Sequence, residues 1–372
     1  MLGGAVVTAT KPAEAIPVFA HRYGLTCQAC HTVVPHLTQF GQSFLAHGYR
    51  IPGVNPGGAF PISVRTDFTY QDTGTADPDA TTTGPLPKII VNEIELLTGG
   101  SIGSRVSYWG EQYIVDGGFP GRLRELWATY RLTPDDAKIP VVVRAGQFTL
   151  PLPLDPETFR ETTQPYEIWS QVAGDNPFNF FAPKLGGQVS FGDPSRAISG
   201  TAQVMKGYEY PGVPPVGLDT MFTLTRNLGD FALVAYRYDG QRQFSGLGYG
   251  NTILITDVHD SFWRNGFAVG WSRGPTELNA VYQIGNDSAA DVYKSALISS
   301  GGFIQARQAL GSRAFAIARW DAISGSTFGR DLTAGLGYGV TKNSRLTFFD
   351  TYEKNFQGKS LNVISSELLV AF

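Results

Sequence analysis

The feature that most constrains this chain is a repeated alternation of apolar and polar residues. From residue 62 to residue 71, every odd-numbered position is polar and the even-numbered positions are mostly apolar. Residues two apart in a β-strand point to the same side, so this pattern predicts a strand with one apolar and one polar face. Sixteen such segments can be placed along the chain. Most have the roughly 9–11 residues that a tilted membrane strand needs.

The connections between these segments alternate between short and long. The predicted strands are 62–71, 90–98, 103–114, 122–132, 140–148, 185–192, 198–207, 218–227, 230–239, 263–272, 276–285, 301–309, 312–321, 331–339, 344–353 and 362–372. Short connections are predicted at 99–100, 227–229, 274–275, 310–311 and 342–343, and long ones at 72–89, 149–184, 240–262 and 286–300. Outer-membrane barrels have an even strand number, short periplasmic turns and longer external loops, whereas a soluble β-sandwich has no reason to alternate in this way. We therefore expect an all-β fold, a sixteen-stranded antiparallel transmembrane β-barrel of the porin type over residues 61–372, with both ends periplasmic.

The composition agrees with a barrel and excludes two other classes of protein. The chain has 44 glycines among 372 residues, 12% aromatic residues and only 16% charged residues, against a usual charged share of about 25%. No run approaches the ~18–20 apolar residues that a membrane-spanning helix requires, which argues against a helical membrane protein. The net charge is −3 and no basic block is present, so a nucleic acid is not an expected partner.

Two further features favour a membrane location. Aromatic residues near strand ends are expected to form the girdles of such a barrel. The candidates are Tyr70, Tyr130, Tyr238, Trp271, Trp320 and Tyr352. The last predicted strand ends on the alternating residues Leu368, Val370 and Phe372. Many outer-membrane proteins end on such an aromatic residue, which their insertion machinery recognises.

The only two cysteines of the chain lie in one pentapeptide, Cys27-Gln28-Ala29-Cys30-His31. The spacing Cys-x-x-Cys-His is the attachment pattern of a c-type haem. In that interpretation, Cys27 and Cys30 bond the vinyl groups of a single covalent haem and His31 ligates its iron. The alternatives are a redox-active dithiol or a disulfide that closes a small loop, but no βαβ pattern typical of a thioredoxin-like protein lies nearby.

Residues 16–60 form a compositional unit of their own around this motif. Helix-like apolar spacing follows the motif from Val33 to Leu45, and Gly48 is a candidate C-cap. About 45 residues are too few to bury an adequate core, so we expect this monohaem cytochrome segment to pack as an α-helical plug in the barrel. Residues 1–15 have the character of the tail of a secretory signal peptide, with cleavage expected after Ala15.

The second axial ligand of the haem iron is left open by the sequence. Candidates in the N-terminal segment are His21, His36 and His47, and candidates on predicted strands are Met205 and Met221. His36 lies only five positions beyond His31 on what the spacing predicts to be one helix, so it is not expected to reach the opposite haem face. Each of these side chains also has the simpler interpretation of a packing or surface residue.

The N-terminal segment resembles the fused monohaem cytochrome–porins of the outer membrane, an iron-oxidase-like family best known from Fe(II)-oxidising bacteria. The matching residues are Ala15-Ile16-Pro17-Val18-Phe19-Ala20, Gly24, Cys27-Gln28-Ala29-Cys30-His31, Pro35-His36-Leu37-Thr38, Phe40-Gly41, Phe44 and Gly48-Tyr49. The resemblance implies a cytochrome segment followed by a sixteen-stranded porin. This chain departs from the family at residues 21–24, where Arg-Gln-Thr-Gly is common, and at Gln42, where an arginine is common. These departures leave the electron donor open.

Together, the motif, the barrel and the resemblance predict an outer-membrane electron conduit. An extracellular donor, for which the resemblance suggests Fe²⁺, would supply electrons to the haem, and a periplasmic c-type cytochrome would accept them, which makes the chain a candidate Fe(II) oxidase. One alternative is a diffusion porin with a sensing or gating haem and a donor other than iron. Another is a soluble periplasmic cytochrome joined to a β-sandwich, which the alternating connections argue against.

Acidic residues supply the remaining candidate sites. Asp67, Glu93 and Glu95 are predicted to face the barrel lumen, and Asp72, Asp77 and Asp79 are predicted to lie in the first long loop. Carboxylates in these places could attract Fe²⁺ through their field or by direct contact with hard oxygen atoms. The alternative is an ordinary polar pore lining and a solvated loop.

Overall fold

The computed structural model describes residues 18–33, 36–51, 53–54, 62–74, 88–134, 137–154, 160–193, 195, 197–206, 217–247, 253–325, 329–355 and 360–371. The expected leader at residues 1–15, the loop carboxylates Asp77 and Asp79, and the terminal Phe372 lie outside the described residues. The expectations for those positions therefore stay predictions.

Seventeen strands form a single sheet in the described part of the chain. In chain order they are β1 Ile62–Gly74, β2 Lys88–Ile102, β3 Val106–Asp116, β4 Phe119–Pro120, β5 Leu123–Arg131, β6 Val141–Phe148, β7 Lys184–Gly192, β8 Ile198–Lys206, β9 Leu218–Leu228, β10 Phe231–Leu247, β11 Ile253–Arg273, β12 Thr276–Asp287, β13 Leu297–Leu310, β14 Ala314–Ser324, β15 Gly329–Thr341, β16 Ser344–Asn355 and β17 Ser360–Ala371. Strand β4 has two residues and only extends the hairpin of β3, so sixteen strands build the wall. Neighbouring strands pair antiparallel, and β1 also pairs with β17, which closes the sheet. The predicted sixteen-stranded antiparallel barrel is confirmed.

The barrel wall has the polarity opposite to that of a soluble protein. On β16, Leu346, Phe348 and Tyr352 face outward and are 45%, 55% and 48% exposed. The intervening Thr347 and Thr351 face the lumen and are 1% and 0% exposed. The alternation read from the sequence therefore directs apolar side chains toward the surroundings of the barrel and polar ones into its interior, as in a transmembrane barrel.

The two ends of the barrel differ in the length of their connections. At one end, called here the short-turn end, hairpins are joined by residues 229–230, 274–275, 311–313 and 342–343. The opposite end carries the longest connection, residues 149–183 between β6 and β7. This asymmetry is the one predicted from the sequence.

The predicted long loop at 240–262 is wrong. Strand β10 continues to Leu247 and β11 begins at Ile253, and backbone pairing extends from Asp239–Trp263 to these ends. Phe244 and Val258 are buried against each other on this extension, which gives the hairpin an apolar contact that a solvated loop would lack.

The predicted turn at Gly99-Gly100 is also wrong, because both glycines lie inside β2 and the turn comes at residues 103–105. A Cβ atom at Gly99 would lie 2.9 Å from the Phe19 ring, and one at Gly100 would collide with the Arg22 guanidinium. These glycines thus allow the N-terminal segment to approach the wall and do not reverse the chain direction.

Four short helices accompany the strands: α1 Val18–Tyr23, α2 Cys27–Cys30, α3 Gln39–Ala46 and α4 Glu167–Ser170. The predicted continuous helix after the haem motif is corrected, since residues 31–33 and 36–38 are non-helical and α3 begins at Gln39. The Thr38 hydroxyl caps α3 by accepting a hydrogen bond from the Gly41 N–H at 3.1 Å. Gly48, with φ of 66°, follows the end of α3 as predicted. Among the described residues, no helix is long and apolar enough to span a bilayer.

Three of the predicted girdle residues face outward, as a girdle requires, and one does not. Tyr130, Trp320 and Tyr352 are 46%, 46% and 48% exposed on the outer surface. Tyr238 is completely buried in the lumen, where it packs against Phe178. Strand β10 has apolar residues on both faces, so its sequence alone does not show which face points outward.

A closed barrel of this kind should resist unfolding in detergent, since every strand is paired on both sides. We expect unboiled protein to migrate differently from boiled protein in a denaturing gel. Identical migration of the two samples, or recovery of all the protein in the soluble periplasmic fraction, would contradict a membrane barrel.

Candidate functional site

The N-terminal segment, residues 18–54 and called here the plug, lies inside the barrel at its short-turn end. The Arg22 guanidinium donates a hydrogen bond to the Ser101 carbonyl at 2.7 Å. The Phe19 ring stacks on Tyr49 and on Trp109, with ring centroids 4.3 Å and 5.8 Å apart. Ser101 lies near the end of β2 and Trp109 near the start of β3, both at the short-turn end, so one side of the plug is fixed to this wall.

The end of α3 is fixed to the same side of the barrel. The Tyr49 ring stacks on Trp127 of β5 at 5.6 Å. A Cβ atom at Gly48 would lie 3.2 Å from the hydroxyls of both Ser107 and Thr129, which face the lumen. The positive φ and the close approach both favour glycine at this position.

The opposite side of the plug binds the wall through polar contacts. The Nε2 atom of His36 lies 2.9 Å from a carboxylate oxygen of Glu277 on β12, and its Nδ1 atom lies 3.1 Å from the Thr32 hydroxyl. Gln39 donates to the Ser195 carbonyl at 3.1 Å in the turn between β7 and β8. The plug therefore spans the mouth of the barrel from wall to wall.

Asp193, in the same turn as Ser195, holds the middle of α3. The Ser43 hydroxyl donates to its carboxylate at 2.8 Å, and Nδ1 of His47 lies 3.8 Å away. Burial alone would raise the pKa of Asp193, but the hydrogen bonds from Ser195 and Ser43 and the nearby His47 lower it overall. The carboxylate is thus ionised at neutral pH and remains a strong acceptor for the plug.

The Cys-x-x-Cys-His motif lies on the part of the plug that faces β14, β15 and β16. Cys27 and Cys30 are the two ends of the single turn α2, and neither forms a disulfide. His31 leaves the helix in an extended conformation, its N–H bonded to the Cys27 carbonyl at 2.8 Å. Its backbone also bridges to Leu37, which fixes the loop between the motif and α3.

A cavity of about 220 Å³ opens between the motif and the barrel. Its walls are Cys27, Gln28, His31, Thr32 and Val33 of the plug, and Ser312, Arg313, Gly339, Thr341, Lys342 and Ser344 of the barrel. Cys27 and His31 therefore face the same space, with Cys30 on the helical turn between them. Two thiols without a disulfide and an adjacent imidazole form the donor set that covalent haem attachment requires.

Burial raises the pKa of the Cys30 thiol to about 11 and also raises that of Cys27. Redox-active dithiols have the opposite property, since a lowered thiol pKa makes them reactive. The environment of this motif is thus unlike that of a thioredoxin-type site.

None of the described candidates for the second axial ligand lines this cavity. His36 is buried and contacts Glu277 and Thr32 through its two ring nitrogens. His47 is buried beside Ser43, whose carbonyl lies 2.7 Å from its Nδ1. Met205 and Met221 are completely buried in a luminal cluster elsewhere in the barrel.

His21 lies in α1, but its side chain is outside what the structure describes. The second axial ligand stays undetermined, and the prediction that His36 shares a helix with His31 is wrong.

A second segment, besides the plug, lies in the lumen. The connection 149–183 is called here the inner loop. Its described residues, 149–154 and 160–183, fold back into the barrel and include α4. Its side chains join inward-facing residues of the wall in one buried cluster. The cluster contains Trp127, Phe148, Leu150, Leu152, Tyr166, Ile168, Trp169, Phe178, Phe180, Met205, Met221, Tyr236, Tyr238, Phe262, Ala268, Val281, Phe303 and Ile323. Tyr49 of the plug packs against the same cluster, where it stacks on Trp127 of the wall.

Two buried arginines on the wall hold the inner loop in place. Arg307 of β13 binds Glu161 with two hydrogen bonds, at 2.5 Å and 3.1 Å. Arg319 of β14 donates to the Thr162 hydroxyl at 2.7 Å and to the Pro165 carbonyl at 2.6 Å.

The same arginines connect the inner loop to other charged groups of the wall. Arg319 also pairs with Asp321 at 2.6 Å, so its charge is neutralised within the barrel. Arg307 lies 3.4 Å from Glu277, the same carboxylate that contacts His36. A chain of polar contacts therefore runs from the plug, through the wall, to the inner loop.

The sequence contains a signal for this inner loop that the strand pattern did not use. Residues 165–181 include the aromatic residues Tyr166, Trp169, Phe178, Phe180 and Phe181. A solvated external loop does not carry so many large apolar side chains, because exposing them to water is unfavourable. An aromatic-rich long connection in a barrel thus indicates a segment that folds inward.

The predicted luminal carboxylates lie where the sequence placed them, close to arginines of the wall. Glu95 is completely buried and pairs with Arg65 at 2.6 Å. Asp67 and Glu93 line a small luminal cavity of about 40 Å³ that also contains Arg65 and Arg345. Within the described residues, no group of three or more His, Cys, Asp or Glu side chains is arranged to hold a metal ion. This geometry favours an ordinary charged pore lining over an Fe²⁺ site.

Neither a protein-family model nor a curated protein matches this sequence. Solved structures do match. The anion-selective porin of Comamonas acidovorans superposes with a TM-score of 0.61 at 11% identity, over 84% of this chain and 99% of the porin. The outer-membrane channel DcaP of Acinetobacter baumannii gives 0.55 at 13% identity, over 87% of this chain and 100% of DcaP.

A third match is OmpF of Salmonella typhi, with a TM-score of 0.57 at 11% identity, over 84% of this chain and 97% of OmpF. All three identities are too low to carry a shared activity, but the superpositions cover nearly the whole of each known structure. The chain therefore has the fold of the outer-membrane porins.

Proposed function

We propose that this protein is an outer-membrane electron conduit, in which a single covalent haem on Cys27 and Cys30 receives electrons from an extracellular donor and passes them to a periplasmic c-type cytochrome. The observation that supports it most is the position of the motif. Cys27 and His31 line one cavity inside the mouth of a closed barrel, and Cys30 lies on the same helical turn as Cys27 without forming a disulfide. A porin that only conducts solutes has no need of this donor set.

The residues present fit a c-type haem in number and chemistry. Cys27 and Cys30 would each supply one thioether sulfur, and His31 would supply an imidazole nitrogen to the iron. A haem held in this way supplies one-electron chemistry between the ferric and ferrous states. The plug itself fixes the three donors by the backbone bond between His31 and Cys27 and by its contacts with the wall.

The filled lumen supports a conduit over the alternative of a diffusion porin with a gating haem. A sixteen-stranded barrel otherwise encloses an aqueous channel. Here the aromatic cluster of the inner loop occupies the middle of the barrel and the plug occupies its short-turn end. A barrel closed in this way crosses the membrane without letting solutes pass.

In this proposal, the two redox partners meet opposite ends of the barrel. Short turns of outer-membrane barrels are periplasmic, so the plug would face a periplasmic acceptor. An electron from an outside donor would cross the barrel through the region of the inner loop. Tyr49 and Trp127 stack at 5.6 Å and join the plug to the buried aromatic cluster in that region.

The identity of the donor is tested with Fe²⁺ supplied to intact cells that carry the protein. We expect the haem absorbance to change to the reduced form, and His31→Ala to abolish the change because the iron loses its ligand. His259→Ala, which alters a histidine of β11 outside the plug, is the matched control and should behave like the unaltered protein.

Two outcomes separate the donor from the conduit. A haem that Fe²⁺ leaves oxidised at both acid and neutral pH, while a small organic reductant reduces it from outside, rejects iron and keeps the conduit. A haem that no external donor reduces, although a reductant added to broken cells does, rejects the conduit itself.

A further inference from the structure

The barrel side of the cavity at the Cys-x-x-Cys-His motif is positively charged. Arg313 lies in the turn between β13 and β14, and Lys342 lies in the turn between β15 and β16. Among the described lining residues, these are the two side chains that carry a full charge at neutral pH, and no carboxylate lines the cavity. Hydroxyl groups of Thr341 and Ser344 complete this side. The wall opposite the cysteines therefore suits an anionic group.

Lys342 lies between Thr341 and Ser344 in sequence, and side chains of this turn line the same cavity as Cys27. Arg313 is positioned by its backbone, since its carbonyl accepts the Gly339 N–H at 2.7 Å, which ties the turn to β15. Both cations are thus attached to closed hairpins of the barrel and not to the plug.

A haem attached to the plug would present carboxylates to this wall. Thioether bonds hold the edge of the macrocycle that carried the vinyl groups, and the two propionate groups project from the opposite edge. Arginine binds a carboxylate with two parallel hydrogen bonds, and lysine pairs with it as a point charge. The plug would then hold the thioether edge of the macrocycle, and the barrel would hold its propionate edge.

We infer that Arg313 and Lys342 form the carboxylate-binding side of the haem site, so that the barrel is part of the cofactor pocket. This inference rests on the proposed function. It explains why the motif faces the hairpins of β13 to β16, where the cations lie, and not the aromatic wall of β2, β3 and β5.

The test is the midpoint potential of the haem in purified full-length protein carrying Arg313→Gln and Lys342→Gln together. A positive charge beside the site favours the ferrous state, which carries one positive charge fewer, so removing two should make reduction less favourable. We expect the equilibrium constant for reduction to fall about tenfold, which is 59 mV for a one-electron couple. The single variants should each give a smaller fall.

Matched controls separate this role from a general loss of structure. Arg105→Gln removes an exposed cation from the turn between β2 and β3 at the same end, outside the cavity, and should leave the potential unchanged. The exchanges Arg313→Lys and Lys342→Arg keep the charge and should restore most of the potential. Gel migration of unboiled protein verifies that each barrel is closed.

The outcome also distinguishes this inference from the proposed function. A double variant that keeps its covalent haem and has the potential of the Arg105→Gln control overturns the inference and leaves the conduit intact. Absence of covalent haem from the unaltered chain rejects the proposed function itself.

Discussion

Replacing both Cys27 and Cys30 with alanine should remove all haem stain from the denatured chain, whereas the unaltered protein should keep one haem through a denaturing gel. The reason is that thioether bonds survive denaturation and a haem held only by His31 does not. Each single variant should retain a weaker stain, since one thioether bond is enough to keep the group on the chain. Haem staining and the pyridine haemochrome spectrum of the purified protein measure this result.

The barrel serves as the internal control for this experiment. None of its strand pairs involves the motif, so the double variant should still migrate as a closed barrel before boiling. Extraction of the haem from intact unaltered protein by acid and acetone would show that the group is not covalent and would refute the prediction.

The second large effect is expected at the inner loop. Arg307→Ala combined with Arg319→Ala should make proteoliposomes permeable to small sugars and ions, while the unaltered protein keeps them tight. Removing one partner of a buried ion pair costs about 3–5 kcal/mol, and Glu161 and Asp321 would lose their partners in the lumen. A cost of this size raises the population of undocked inner loop at least a hundredfold.

Arg237→Ala provides the matched control, because Arg237 lies on the outer face of β10 and pairs with Asp239 in a half-exposed position. Liposome swelling and single-channel conductance give the measurement. An unaltered protein that already passes sugars freely would contradict the filled lumen and favour the diffusion porin. A double variant as tight as the control would show that these arginines do not hold the loop.

The barrel could be predicted from the sequence because its wall is built from local patterns. Each strand needs only alternation along its own length, and the two faces meet environments of opposite polarity. The same logic failed where a strand is apolar on both sides. Tyr236 and Tyr238 of β10 face inward because they pack there against aromatic side chains of the inner loop.

Local reasoning also failed where one residue type serves two purposes. Gly99 and Gly100 have the composition of a turn, but they lie in β2 because Phe19 and Arg22 need the space that a side chain would occupy. That requirement comes from a segment about 80 residues earlier in the chain (separation of 79 for the Arg22–Ser101 contact). A pattern read over a short stretch of sequence cannot include both the glycines and the residues that need the space.

The candidate site was predictable in its donors and not in its surroundings. Cys27, Cys30 and His31 follow from a fixed spacing, whereas Arg313 and Lys342 come from turns whose composition is ordinary for any hairpin. His36 illustrates the same limit. Its spacing from His31 indicated a shared helix, but its actual role is set by Glu277, which lies 241 positions away.

The distant partners of the plug also fix the order in which the protein matures. The plug is near the start of the chain, yet it is held by Ser101, Ser195 and Glu277, at separations of 79, 156 and 241 positions. Such contacts cannot form until the later hairpins exist, because long-range contacts require the closure of long loops. Once they do form, Cys27 is only 8% exposed and faces the barrel wall. An enzyme that attached a haem to these thiols would therefore have to act on the free N-terminal segment, before the strands close around it.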